Sequence, residues 1–225
     1  MTGQLAPWEP QGRALRDEWR GASAGPIEVH VHGGDVERLD AAHFFREPAD
    51  FDDWEHSALQ AARGDVLDLG AGAGCHALAL QARGLRVRAY DVDSHAVSVM
   101  RARGVQDVQL GSLAEAPDAC CDSLLLLMHG IGLAGDVEGL AWLAEDAARV
   151  LRPGGRWIVD GRGPPDEADC GVSRQHLEYD GSVGAPYDWL WPHADFVQHE
   201  LARAGWRCAA LDTPRDGRWL LVAER

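Results

Sequence analysis

Asp65-Val66-Leu67-Asp68-Leu69-Gly70-Ala71-Gly72-Ala73-Gly74-Cys75-His76 is the stretch that decides the fold. Val66, Leu67 and Leu69 make a short buried strand, Gly70 to Gly74 a tight loop, and Cys75 to Arg83 a helix that stops at Gly84, where a C-terminal glycine is expected. Glycines in such a loop permit positive φ and let backbone approach a ligand, while the N–H groups of the helix start offer hydrogen bonds.

C-terminal to this unit the alternation continues. Arg86 to Asp91 reads as a strand, Ser94 caps a helix to Arg103 that stops at Gly104, and Asp107 to Leu110 is a third strand. Cys121 to Met128 contains Leu124-Leu125-Leu126-Leu127, an apolar run suited to a central strand buried on both faces. Glu138 to Leu151 sets Leu140, Leu143, Ala144, Ala147, Val150 and Leu151 on one helical stripe, and Pro153-Gly154-Gly155 turns into the strand Arg156 to Asp160. Five strands alternating with helices predict a mostly parallel sheet with helices on both faces. His176 to Tyr179 and Tyr187 to Trp191 read as a hairpin inserted after the fifth strand, over about 171–192. A helix from Ala194 to Ala204 follows, then an antiparallel pair, Trp206 to Leu211 and Trp219 to Ala223, joined by Pro214 to Gly217.

N-terminal to the unit, residues 1–26 hold three prolines and four glycines without a sustained period, and read as a flexible arm with one helical turn near Leu15 to Trp19. Ile27, Val29 and Val31 alternate with Glu28, His30 and His32 as a half-buried strand. From Asp35 to Asp65, nine acids face three arginines, and Leu39, Phe44, Phe45, Phe51, Trp54 and Leu59 are spaced for helices, so 27–64 is expected to form an N-terminal, largely helical cap. A length of 225 residues suits one α/β domain over 27–225.

Composition excludes several chemistries. All 21 basic residues are arginine, so no lysine Schiff base, no phosphate loop ending in Gly-Lys-Ser/Thr and no lysine general base is available. The net charge of −15 repels a nucleic-acid backbone. Five cysteines without regular spacing argue for a reducing compartment; with no signal sequence and no long apolar run, a cytoplasmic protein is expected and no membrane partner.

The loop discriminates between cofactors. The dinucleotide fingerprint G-x-G-x-x-G requires its third glycine at position 75, which is Cys75; here that glycine comes one residue early, at Gly74. An acid two residues before G-x-G-x-G resembles motif I of the class I S-adenosylmethionine (SAM)-dependent methyltransferases. Tyr90-Asp91-Val92-Asp93 resembles the segment whose acid binds the ribose hydroxyls, and Leu110-Gly111-Ser112-Leu113 the segment that meets adenine. At this second segment the family usually has Asp or Glu where this chain has Ser112, which assigns the adenine contact to backbone near Gly111 or Leu113. Leu151-Arg152-Pro153-Gly154-Gly155 is similar to the family's turn into strand five.

The resemblance implies a Rossmann-like seven-stranded sheet of order 3-2-1-4-5-7-6. It implies SAM held by Asp68, Gly70, Ala71, Gly72, Gly74, Asp91, Val92, Gly111, Ser112, Leu113 and Met128, with methyl transfer to a small molecule. Two other readings stay open: a non-catalytic SAM-binding module, and an enzyme that transfers or cyclises the aminobutyryl arm of SAM. His129, after the fourth strand, is the candidate general base, since its ordinary pKa suits proton removal at neutral pH; the alternative is a loop histidine bonded to backbone. His76, directly after the loop, is a candidate for the carboxylate of the methionine part. Phe45, Arg46, Tyr179, Trp189 and Trp191 belong to the two segments outside the sheet pattern and are expected to line the acceptor pocket, for a neutral or cationic acceptor. His30 and His32 share a strand face near Asp35, but two ligands and no clear third predict no metal. Gly21-Ala22-Ser23-Ala24-Gly25 matches a hydrolase elbow only formally, having no preceding strand.

Overall fold

The computed structural model describes residues 5–164, 168–212 and 217–225, with backbone alone at Asp212. In chain order its elements are α1 (Glu9–Trp19), β1 (Ile27–Val31), β2 (Val36–Leu39), α2 (Asp53–Ala61), β3 (Asp65–Leu69), α3 (Cys75–Ala82), β4 (Arg86–Asp91) and α4 (Ser94–Arg103). They continue with β5 (Asp107–Leu110), β6 (Cys121–Leu126), α5 (Val137–Val150), β7 (Leu151–Arg162), β8 (Cys170–Tyr179), β9 (Ser182–Val183), β10 (Tyr187–Pro192), α6 (Ala194–Arg203), β11 (Arg207–Asp212) and β12 (Arg218–Glu224).

The strands β3 to β7 are apolar enough to be covered on both faces, and so they stack in parallel at the centre of a seven-stranded sheet of order β11-β12-β7-β6-β3-β4-β5. Only β12 enters antiparallel, pairing with β7 and β11. On one face Leu140, Ala144 and Ala147 of α5 and Val197 and Leu201 of α6 pack onto Leu124, Trp157 and Leu221. On the other, Trp54 and Ala58 of α2, Leu80 of α3 and Met100 of α4 pack onto Val66, Val87 and Ile158. The connection at Pro214 lies outside the described residues.

Three expectations are corrected. Residues 9–19 are an ordered helix rather than a flexible arm: Ala14 and Leu15 are fully buried with Phe44, Val99 and Leu177, so an apolar stripe outweighs the proline and glycine. Residues 36–39, expected in a helical cap, form β2, because β1 presents an open edge that Val36 to Leu39 can pair with. The inserted hairpin does not stand alone either. β8 pairs with β1 as well as β10, giving a second, antiparallel sheet of order β10-β8-β1-β2. Together with α1, this sheet roofs the carboxyl ends of β3, β4 and β6.

Candidate active site

At the end of β3 the chain must turn sharply to start α3. Gly70, Gly72 and Gly74 take φ of +68°, +57° and +80°, a region that L side chains rarely adopt, and both Gly70 and Ala71 donate their N–H to Tyr90 O. Asp91, ending the neighbouring β4, accepts from Gly72 N at 2.9 Å through Oδ2 and from Asp93 N at 2.9 Å through Oδ1. Burial pushes its carboxyl up to about 6, against the pull of those two backbone donors. Asp68 is buried beneath the loop; its Oδ2 has no hydrogen-bond partner among the described residues, and burial raises its carboxyl to about 6.

The loop after β6 is strained. Met128 and His129 both lie in the left-handed region, at φ +64° and +60°, which costs about 1 kcal/mol or more for each non-glycine residue. Asp160 holds this conformation: fully buried on β7, its carboxylate accepts from His129 N at 3.1 Å and Gly130 N at 3.3 Å, and burial pushes it up to about 7. The His129 ring lies between Trp191, 6.2 Å away, and Arg218, whose Nη2 is 3.3 Å from His129 Nε2. A guanidinium can only donate, so Nε2 accepts and the ring proton sits on Nδ1. Arg218 in turn covers the Trp54 ring at 4.7 Å.

These features open into one cavity of about 790 Å³, within the range of small-molecule sites. Its floor is Gly70, Asp91, Val92, Gly111, Met128 and His129; its roof comes from α1, β1 and the second sheet, including Trp8, Leu15, Tyr187, Trp189 and Trp191. Trp8 and Tyr187 are 4.5 Å apart between ring centres, and Trp189 packs edge-on to both. Trp191 Nε1 donates to Ser173 Oγ at 2.8 Å, which fixes its plane.

Residues 67–159 match a family model described as a methyltransferase domain. A SAM-dependent methyltransferase from Bacteroides fragilis, solved in complex with S-adenosyl-L-homocysteine, is similar over 98% of this chain and 97% of its own, with a TM-score of 0.87 and 29% identity. The methyltransferase domain over 67–159 and this whole-chain likeness support a class I SAM-dependent methyltransferase. The sugar N-methyltransferase KedS8 from a Streptoalloteichus species shares the fold at a TM-score of 0.60 and 17% identity, over 85% of this chain and 95% of that one. The glycopeptide N-methyltransferase MtfA does so at 0.58 and 16%, over 77% and 91%. No curated protein matches the sequence.

In this methyltransferase Gly70, Asp91, Val92, Gly111, Ser112, Leu113, Met128, His129, Trp189 and Trp191 line the cavity. Asp68, Ala71, Gly72 and Gly74 stand behind it, shaping the loop; a Cβ on Gly74 would crowd Val105 and Met100. Four expectations are corrected. His76 points away from the cavity, its Nε2 2.8 Å from Glu55 Oε1. Arg46 is held by the same Glu55 at 2.7 and 2.8 Å and is not presented to an acceptor. Tyr179 is buried in the roof, where its hydroxyl accepts from Ala24 N at 2.9 Å. Phe45 stacks on Trp19 outside the cavity, and it is Phe44 that faces in.

Sequence reasoning missed Asp160, Arg218, Trp8 and Leu15. Asp160 ends a strand read only as core, Arg218 falls just before the last strand as read, and Trp8 and Leu15 lie in the segment read as an arm. At the missing acid, Ser112 N donates to Glu115 Oε2 at 2.6 Å, so a carboxylate stands beside this segment three residues later, employed in capping a turn.

Proposed function

We propose that this methyltransferase transfers the methyl group of SAM to a small, neutral or cationic acceptor by in-line displacement. The observation that carries the reading is the continuity of the cavity: the Gly70–Asp91–Gly111 half and the Trp8–Trp189–Trp191 half meet at Met128 and His129. The residues fit the cofactor on physical grounds. Asp91 offers a carboxylate at the cavity wall, the positive-φ glycines keep the wall clear of side chains, and Asp68 carries an unsatisfied buried oxygen behind it. Bound SAM supplies an electrophilic methyl group on a sulfonium. The protein's task is to align the acceptor, exclude water and take a proton where the nucleophile demands it.

Asp91 would accept hydrogen bonds from the ribose hydroxyls, and Gly111 to Leu113 would border adenine. Trp189, Trp191, Tyr187 and Trp8 would clasp the acceptor and exclude water, in a setting of aromatic faces and negative net charge that favours cations. His129 Nε2 would take the acceptor's proton once the acceptor displaces the Arg218 Nη2 that it now faces. Fold neighbours named as sugar and glycopeptide N-methyltransferases support an amine among the candidate acceptors. Counted in chain order, the seven strands of the main sheet run 3-2-1-4-5-7-6, with the second-sheet hairpin after the fifth. Five free cysteines support a cytoplasmic location, and among the described residues no helix is long and apolar enough to cross a membrane.

Calorimetry with SAM and S-adenosylhomocysteine, on the natural chain and on Asp91→Ala, tests the cofactor half. A loss of affinity of about tenfold or more is expected, since a hydrogen-bonded charged group is worth roughly 1.5–3 kcal/mol; unchanged affinity removes Asp91 from the site. Mass spectrometry of products from amine, hydroxyl and thiol acceptors tests the reaction. Methyl transfer yields S-adenosylhomocysteine and an acceptor heavier by one methylene, whereas release of methylthioadenosine would assign aminobutyryl transfer instead.

A further inference from the structure

The second sheet carries a cluster of ligating side chains on the face turned away from the cavity. On β1, Glu28 and His30 share that face, and the antiparallel register sets His30 opposite His176 and Glu28 opposite Glu178 on β8. The His30 and His176 rings stack with centres 4.7 Å apart and planes 10° apart. His30 Nε2, shielded from solvent, lies 3.3 Å from Glu28 Oε2 and 3.6 Å from Glu178 Oε2. His32, just beyond the end of β1, puts Nε2 3.1 Å from His176 Nδ1. One ligand atom each from His30, His176 and Glu178 falls within 4.8 Å of the other two.

We propose that His30, His176 and Glu178 form a binding site for a divalent transition-metal ion of the zinc type, with His32 as the partner that orients His176. Two imidazoles and a carboxylate are a donor set zinc accepts, with water as fourth ligand. A tetrahedral zinc with bonds of about 2.0–2.1 Å needs donor atoms roughly 3.3 Å apart. The present separations therefore require only that three partly exposed side chains tilt inward. Ligating histidines characteristically use their second ring nitrogen in a hydrogen bond that fixes the ring. His176 Nδ1 and His32 Nε2 make that contact, which leaves His176 Nε2 as the ligand atom. Glu28 is engaged by Arg38 at 3.0 Å and serves at the rim rather than as a ligand.

The sequence did not reveal this site because its third ligand lies more than 140 residues from His30. An ion here would clip β1 to β8, whose opposite face supplies Val29 and Leu177 to the cavity. The site would therefore stiffen the roof without touching the reacting atoms.

The test is calorimetric titration of the chelator-stripped full chain with zinc chloride, alongside His30→Ala/His176→Ala and Glu178→Gln. One saturable site is expected in the natural chain, with affinity lowered at least tenfold in both variants, while affinity for S-adenosylhomocysteine measured without zinc stays unchanged. Cobalt substitution should give the visible absorption of a four-coordinate ion in the natural chain alone. No saturable binding, or binding equal in the natural chain and the double variant, overturns the proposal. If the double variant fails to fold, Glu178→Gln decides: affinity within twofold of the natural chain overturns it.

Discussion

Glu55 shows how one buried acid organises the wall behind the glycine loop. It is wholly buried, yet it accepts from both outer nitrogens of Arg46, faces His76 Nε2 at 2.8 Å and accepts from Asp52 N at 2.9 Å. Burial alone would raise its carboxyl, but the hydrogen bonds from His76 and Arg46 outweigh burial and hold it near 2. A pKa depressed on folding contributes stability above the unfolded value, near 4.5, that is lost as pH falls toward 2. At roughly 1.4 kcal/mol per unit, that contribution is about 3 kcal/mol. Glu55→Gln should therefore destabilise the protein at pH 6, leaving Arg46 and His76 without their anion, and should flatten the loss between pH 4.5 and the acid limit. Urea denaturation at pH 6 and at pH 3 measures both; an acid limb as steep as the natural one contradicts the assignment. The same residue explains why Arg46 and His76 were misread. His76 was expected at the carboxylate of the methionine part and Arg46 in the acceptor pocket, but what both meet is a carboxylate of this protein, brought in by a helix packing that local sequence does not encode.

Among the elements, α1 departs furthest from its sequence. It carries Gly12 where a helix would ordinarily gain about 1 kcal/mol from alanine, yet a Cβ on Gly12 would overlap the Asp93 carboxylate, which caps α4 in place of the expected Ser94 by accepting from His95 N at 2.7 Å and Ala96 N at 3.1 Å. Losing that cap costs about 0.5–2 kcal/mol, and moving α1 aside would disturb Trp8 and Leu15 in the cavity roof. Gly12→Ala should thus lower the midpoint of thermal unfolding and weaken SAM binding several-fold, whereas a raised midpoint would mean that α1 and α4 are less tightly apposed. The unit from β3 to α4 was legible because each strand and helix announces itself within ten residues, by an apolar run, a cap or a stopping glycine. α1 and β2 were not. Their apolar residues are few, and what orders them is an existing surface: α4 and Phe44 for α1, the edge of β1 for β2.

At the scale of the whole molecule, the main sheet supplies the floor of the site and the ends of the chain's two outlying segments supply the roof. Because the chain lacks lysine, trypsin can cut only after arginine, and Arg13, Arg16 and Arg20 report on α1 directly. A ligand gripped by floor and roof together closes the structure by mass action, about a hundredfold at one hundred times its Kd where cleavage requires opening of the site. Saturating S-adenosylhomocysteine should slow cleavage after Arg13 and Arg16 at least about tenfold, as followed by mass spectrometry. Equal rates with and without ligand would detach α1 from the binding unit.

The pairing of β1 with β8 also fixes an order of events during synthesis. β1 emerges from the ribosome well over a hundred residues ahead of its partner. Until β8 follows, it has only β2 beside it, and a two-stranded hairpin is marginal in water. The parallel strands β3 to β7 can assemble meanwhile, since domains fold progressively as they emerge. The cavity is therefore completed late: a chain halted before residue 170 holds its glycine loop, its carboxylates and α1 but lacks the half of the roof that β8 and β10 supply.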